Sequence, residues 1–251
     1  MNRKRIIVII VGVLLIVVGG IGYFLYLNGK IGNKPRIISM KKPNPKLCEK
    51  PNGIDISHHN IAYDWSKVRV SFCYIRATMG NTIKDNKYHE HRKNASKCHI
   101  PMGAYHFLTA KTSAKEQFAF FSSVVKKEHF QLRPMLDVEE SEYWEAPEGF
   151  TDEKAHDFIR EWCDFCKKHY GISPIIYTTE KLYQRYKLYK GFDDCIWWVA
   201  NYNGIKNYNK KCSIPFTIHQ YSNKKYVEGF YGNVDCNRFA PGKSVKDLYV
   251  K

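Results

Sequence analysis

Pro134-Met-Leu-Asp-Val-Glu139 is the stretch on which the reading of this chain turns. It is a short apolar run that ends in two carboxylates spaced two residues apart. Successive side chains of a strand point to opposite faces, so Asp137 and Glu139 share one face and Val138 packs behind them. Downstream, Thr151 opens a helix-like stretch near 151–170. Asp152 and Glu153 fall in its first turn, where acids complement unpaired backbone N–H groups. The next apolar run, Ile175–Thr178, predicts another strand. Upstream, a helix-like stretch near 112–127 follows a strand candidate at Met102–Phe107. Strands alternating with helices predict a parallel sheet.

The same alternation extends outward over the domain. Further strand candidates are Gly53–Ser57, Phe72–Ala77, Trp197–Asn201, Thr217–Tyr221 and Asn233–Asp235, with helix-like stretches near 86–98 and 180–189. With Pro134–Val138 these make eight strand candidates, which predict a closed β/α barrel. The last connections are too short for full helices. No internal repeat or low-complexity tract interrupts the pattern.

A β/α barrel carries its active site at the C-terminal ends of its strands. Asp55, Asp137, Glu139 and Asp235 all fall at strand ends. Glycosidic cleavage needs one carboxylic acid to protonate the leaving oxygen and a second group to stabilise an oxocarbenium-like centre. Crowding of like charges raises the pKa of one carboxyl and keeps its proton available near neutral pH. The constellation has those parts. As a bare pattern, though, Asp-x-Glu at a strand end also caps helices or binds metal.

Ten blocks in order narrow the reading. They are Gly-Ile-Asp-Ile-Ser at 53–57, Trp65 with Val68, Phe-Cys-Tyr-Ile-Arg-Ala-Thr-Met-Gly at 72–80, Asp85 with Tyr88, and Pro-Met-Gly-Ala-Tyr-His-Phe at 101–107. Then come Leu-Asp-Val-Glu at 136–139, Ile-Ile-Tyr-Thr at 175–178, Trp-Val-Ala-Asn-Tyr at 198–202, His-Gln-Tyr-Ser at 219–222, and Gly-Asn-Val-Asp-Cys-Asn-Arg-Phe at 232–239. From about Pro51 to the C-terminus the chain thereby resembles glycoside hydrolase family 25, the lysozymes or muramidases. The resemblance implies an irregular TIM-like β/α barrel with fewer helices than strands. It implies hydrolysis of the β-1,4 bond between N-acetylmuramic acid and N-acetylglucosamine in peptidoglycan. It assigns Glu139 as general acid, Asp137 as the neighbouring acid that assists the reacting centre or the N-acetyl group, and Asp55 and Asp235 as acids lining the pocket.

Substrate-binding candidates are Tyr105, Arg76, Tyr177, Trp198, Tyr202 and Gln220. Family position puts Tyr105 in the cleft, and strand alternation sends Phe107 with it and His106 to the other face. Arg76 ends a strand, either to pair with a cluster acid or to make a structural salt bridge. Tyr177, Trp198 and Tyr202 are placed to stack on sugar rings or to fill the core. Two departures stand out: His219, where the family usually has Trp before Gln-Tyr, is a change expected at the cleft floor, and Cys98 replaces Ala or Gly. Two rival readings stay open, a wall-binding protein without turnover and a hydrolase of another N-acetylated polysaccharide.

Residues 1–27 read as a cytoplasmic stub and membrane anchor, 28–50 as a linker and 51–251 as the catalytic domain. Ile6–Leu27 is a run of 22 uncharged, mostly apolar residues, long enough to span a bilayer. Tyr23, Phe24 and Tyr26 follow its glycines and favour an uncleaved anchor over a signal peptide. Basic residues flank both ends, and a plain positive-inside count puts the domain inside. The inferred substrate lies outside and decides for a single-pass anchor with an extracytoplasmic domain. Residues 1–48 hold nine of the 40 Lys and Arg and none of the 24 acids, which leaves the domain an excess of seven. That excess suits an acidic wall polymer or simple solubility. No RNP signature, zinc-finger spacing or basic helix points to nucleic acid.

Eight cysteines permit disulfides outside the cytoplasm, but Cys73 and Cys98 read as packed free thiols. Cys163, Cys166 and His169 lack a second ligand pair, and His58 and His59 lack convergent partners, so no metal is expected. No cofactor is required, and the expected partners are glycan strands and the membrane, with a monomeric catalytic domain.

Overall fold

A computed structural model of the chain describes residues 41–129, 131–203 and 212–250, and the fold is that of the compact unit Lys42–Lys251. The expected anchor Ile6–Leu27 lies outside the described residues. Among these, no helix is long and apolar enough to cross a membrane.

Eight strands close into a barrel. They are β1 (Gly53–Ile56), β2 (Phe72–Met79), β3 (Met102–Phe107), β4 (Met135–Asp137), β5 (Ile175–Thr179), β6 (Ile196–Ala200), β7 (Ile218–Tyr226) and β8 (Asn233–Phe239). Each pairs with the next, and β1 pairs with both β2 and β8 to complete the ring. Pairing is parallel from β1 through β7. β8 runs antiparallel to both its neighbours, which corrects the expectation of a wholly parallel sheet. The reason is chain length. β7 ends at Tyr226 and β8 begins at Asn233, whereas a parallel crossover needs on the order of a dozen residues. So short a link can only turn back.

Four helices follow β2 to β5: α1 (Tyr88–Lys97), α2 (Ala114–Val124), α3 (Asp152–Tyr170) and α4 (Glu180–Arg185). Among the described residues there are thus fewer helices than strands. Their ends have local causes. Ser113 and Glu116 form a reciprocal capping box on α2, and the Thr151 hydroxyl accepts the Lys154 N–H on α3. α3 stops at Gly171, whose φ of 80° suits glycine. α4 is shorter than the predicted 180–189 because Lys187 takes a left-handed φ of 52°.

The core has two layers. Ile54, Ile75, Ala104, Leu136, Ile176 and Val199 point out of the barrel and pack against Phe118, Phe121, Ile159 and Trp162 of the helices. Phe72, Tyr74, Met135, Ile175, Trp198 and Ile218 fill the barrel interior. Trp198 meets Phe72, Tyr74 and Tyr177 edge-on at centroid distances of 5.8, 5.2 and 6.0 Å. Glycine makes room for these rings, since a Cβ would lie 2.2 Å from Phe72 at Gly53 and 2.3 Å from Tyr74 at Gly103. The filled interior turns the barrel mouth into a cup with a closed floor. Cys73, Cys163, Cys166 and Cys236 are buried, and Cys163 and Cys166 lie on the buried face of α3.

Candidate active site

The four predicted acids converge at one end of the barrel. Asp55 lies near the end of β1, Asp137 closes β4, and Glu139 follows two residues later on the same face. Val138 is buried in the outer layer behind them. Asp235 reaches the same rim from the start of β8, in register with Asp55. The strand-end placement expected for Asp235 is corrected accordingly: an antiparallel strand delivers its first residues to the mouth.

All four acids line one cavity of about 240 Å³, shared with Arg76, Tyr105, Phe107, Tyr177, Tyr202, Gln220 and Asn223. A second hollow of about 510 Å³ opens beside it, lined by Glu140, Thr179, Glu180, Lys181 and Asn201 among others. The two share Glu139, Tyr177 and Tyr202. Glu139 therefore stands where they join, in a continuous cleft.

Desolvation dominates the electrostatics. Burial pushes Asp137 well above the carboxylate range, the charges of Glu139 and Asp55 add to the rise, and Arg76 offsets part of it. Burial also raises Glu139, against a hydrogen bond from Tyr177. Asp235 is pushed up to about 8 by burial and then by Asp55 and Glu139. Asp55 rises only to about 6, because Asn237, Gln220 and Asp235 donate to it and oppose its burial. Carboxyls crowded this closely titrate as a coupled set, and burial raises the pKa of each.

A frame of polar side chains fixes the cluster. Gln220 Nε2 donates to Asp55 Oδ1 and Oδ2 at 3.1 and 3.0 Å, and its Oε1 accepts from Tyr177 at 2.8 Å and from Tyr202. Asn237 Nδ2 donates to Asp55 Oδ1 at 2.7 Å. Arg76 lines the cup, but its ion-pair partner is Asp85, at 3.0 Å from Nε, and not a cluster acid. Asp85 also accepts the His58 backbone N–H at 2.9 Å and contacts His58 Nδ1 at 3.1 Å, so both lie beside Arg76.

Of the predicted binding residues, Tyr105, Arg76, Tyr177, Tyr202 and Gln220 line the cup. Trp198 does not. It lies fully buried beneath the cup, where no sugar reaches it, and its indole N–H donates to Asn237 Oδ1 at 3.0 Å. Alternation along β6 puts it inside the barrel with Ile196 and Ala200, and Trp198 lies on the floor. His219 is also placed otherwise than expected. It alternates with Gln220, packs beside Phe216 and Tyr221, and sets Nε2 2.9 Å from the Asn201 carbonyl, outside the cleft floor. Phe107 lines the cup beside Tyr105, as strand alternation expects, whereas Asn223 on the cup lining and Asn237, fully buried against Asp55, are absent from the predicted set. Asn237 carries a readable signal, since it stands two residues after Asp235, the spacing that pairs Asp137 with Glu139.

Comparison with known proteins agrees with this geometry. The chain is 28% identical over 196 residues to YegX of Escherichia coli strain CFT073, covering 75% of this chain and 69% of that protein. It is 28% identical over 197 residues to Lysozyme M1 of Streptomyces globisporus, covering 74% and 67%. The crystal structure of a bacterial lysozyme from Streptomyces coelicolor superposes with a TM-score of 0.69 at 28% identity, over 78% of this chain and 94% of that one. The family model for glycosyl hydrolases family 25 matches residues 54–230, from β1 to the turn before β8, and the chain belongs to that family.

Proposed function

We propose that Glu139 is the proton donor of this hydrolase and that Asp137, beside it, orients the substrate's acetamido group at the reacting centre. The enzyme is a peptidoglycan muramidase, cleaving the β-1,4 bond between N-acetylmuramic acid and N-acetylglucosamine by acid catalysis. The observation that carries the role assignment is the position of Glu139. It stands at the junction of the two hollows, and burial raises its pKa, which favours the protonated form. Asp137 is pushed up further but lies deeper, only 6% exposed, and is less able to reach a glycosidic oxygen. Asp55 and Asp235 hold the charge and shape of the cup. Tyr202, 46% exposed at the rim, offers a ring for a sugar to stack on, with Tyr105, Tyr177 and Arg76 lining the approach.

The test compares wild type with Glu139→Gln on purified peptidoglycan, with fragments identified by mass spectrometry after borohydride reduction. Fragments with reduced N-acetylmuramic ends should come from wild type, and the variant should be slower by ~10²–10⁴-fold while keeping its circular dichroism. Near-normal release by the variant overturns the assignment.

The same reading places the enzyme on a single-pass anchor, Ile6–Leu27, as a monomer with its domain on the extracytoplasmic side. Support comes from the length of that uncharged run and from where peptidoglycan lies. A reporter fused after Lys251 should be active outside the membrane, and cytoplasmic activity of the fusion contradicts the placement.

A further inference from the structure

We propose that Asn237 is a positioning residue of this site: with Gln220 it holds Asp55 as the carboxylate and leaves the proton of the Asp55–Asp235 pair on Asp235. The inference follows from which way each amide must face. An indole N–H only donates. Trp198 Nε1 lies 3.0 Å from Asn237 Oδ1, so Asn237 gives its carbonyl to the indole and its NH2 to Asp55 Oδ1 at 2.7 Å. Trp198 cannot turn to release that choice, because Phe72, Tyr74 and Tyr177 pack against its ring in the barrel floor. Gln220 is oriented in the same sense. Its Oε1 faces the Tyr177 and Tyr202 hydroxyls and its NH2 lies against both Asp55 oxygens, at 3.1 and 3.0 Å.

Asp55 thus receives three N–H contacts on its two oxygens, from groups that cannot take a proton. Donors of this kind favour the ionised form. Asp235 faces Asp55 across the β1–β8 pair and shares a hydrogen bond with it, and a hydrogen bond between two carboxyls needs one proton. With Asp55 supplied by amides, that proton sits on Asp235. The other charged or titratable groups around the pair are Asp137 and Glu139 from the β4 side, Arg76 from β2, Tyr105 from β3, Tyr177 from β5 and Tyr202 after β6. Of these, Arg76 is the cation, and it is committed to Asp85. Neutral amides, relayed from a buried indole, therefore do for Asp55 what an ion pair does elsewhere. Burial raises both acids but leaves Asp55, at about 6, below Asp235, at about 8, in the same order.

The kinetic test rests on the muramidase reading and the spectroscopic test does not. Asn237→Leu removes a donor from Asp55, so the pKa of Asp55 rises. The acidic limb of kcat/KM should then move up by roughly one to two pH units, as expected for a lost hydrogen bond to a charged group. Trp198→Phe, which frees Asn237 to turn over, should move the limb in the same direction by less. A merely structural role for Asn237 lowers kcat/KM without moving the limb, and that result in a folded variant overturns the proposal. In wild type, 13C NMR of labelled aspartate carboxyls should show Asp55 ionising at lower pH than Asp235, and the reverse order overturns it whether or not the variants fold. If wild type releases no reducing ends from peptidoglycan, the function reading fails while the NMR order still decides this one.

Discussion

Asp85 is a residue whose importance shows only in its surroundings. Its side chain is fully buried, and one of its oxygens meets Arg76 Nε, the His58 backbone N–H and His58 Nδ1. The other oxygen accepts the Lys87 N–H at 3.0 Å, next to the start of α1. Removing one member of a buried ion pair strands the other charge, at a cost of about 3–5 kcal/mol. Asp85→Ala should therefore lower the unfolding free energy by about 3 kcal/mol in urea titrations at neutral pH. A loss below about 1 kcal/mol, the range of an exposed pair, contradicts this account of Arg76. The same substitution frees Arg76, which now moderates the pKa of Asp137 from the cup wall.

Among the elements, β2 and β3 show how the cup gets its floor. Phe72 and Tyr74 point inward from β2, and the space for Tyr74 exists because β3 presents Gly103 to it. Gly103→Ala puts a methyl group 2.3 Å from the ring, and the ring cannot withdraw because Trp198 lies 5.2 Å away on its other contact. Overpacking of this kind costs about 1–3 kcal/mol. A thermal melt should show a drop of several degrees, and an unchanged melt means the barrel floor is looser than described. β8 makes a different contribution. Its reversed direction brings Asp235 and Asn237 to opposite depths of the same inner face, one at the rim and one beside Trp198.

For the whole molecule, the acid cluster makes stability depend on pH. Folded Asp235 keeps its proton up to about pH 8, whereas the unfolded chain releases it near 3.8. Between these values the folded state binds more protons, so stability falls as pH rises. His106 acts in the opposite sense. Burial against Phe121 and Trp162 lowers it from 6.5 to about 4, so it costs stability as pH falls below 6.5 and contributes nothing above. The clean window is therefore pH 6.5 to 8. There wild type should lose stability with rising pH more steeply than Asp235→Asn, which should be the more stable protein at pH 8. Equal slopes in the two proteins mean that Asp235 does not hold the proton. A cluster kept at this cost is what function-driven strain predicts.

Strand alternation and chain order were enough to read the barrel from the sequence. Each of the eight strand candidates overlaps a strand, because a short apolar run between helix-like stretches is a local property. The same locality made Asp137 and Glu139 legible as a same-face pair, and the ten ordered blocks brought in Asp55 and Asp235. What the sequence could not decide was depth and partnership. Trp198 and Tyr177 are register partners on neighbouring strands and both point inward, yet one lies on the floor and the other in the cup, since the strand tilt of a closed barrel sets partners at different heights. The sequence left Arg76 either a cluster acid or a structural salt bridge, and folding put Asp85, from the turn before α1, against its Nε. Asn237 and Gln220 became a clamp on Asp55 only when β1, β7 and β8 closed the ring, because hydrogen bonds spanning more than 160 residues exist in no local pattern.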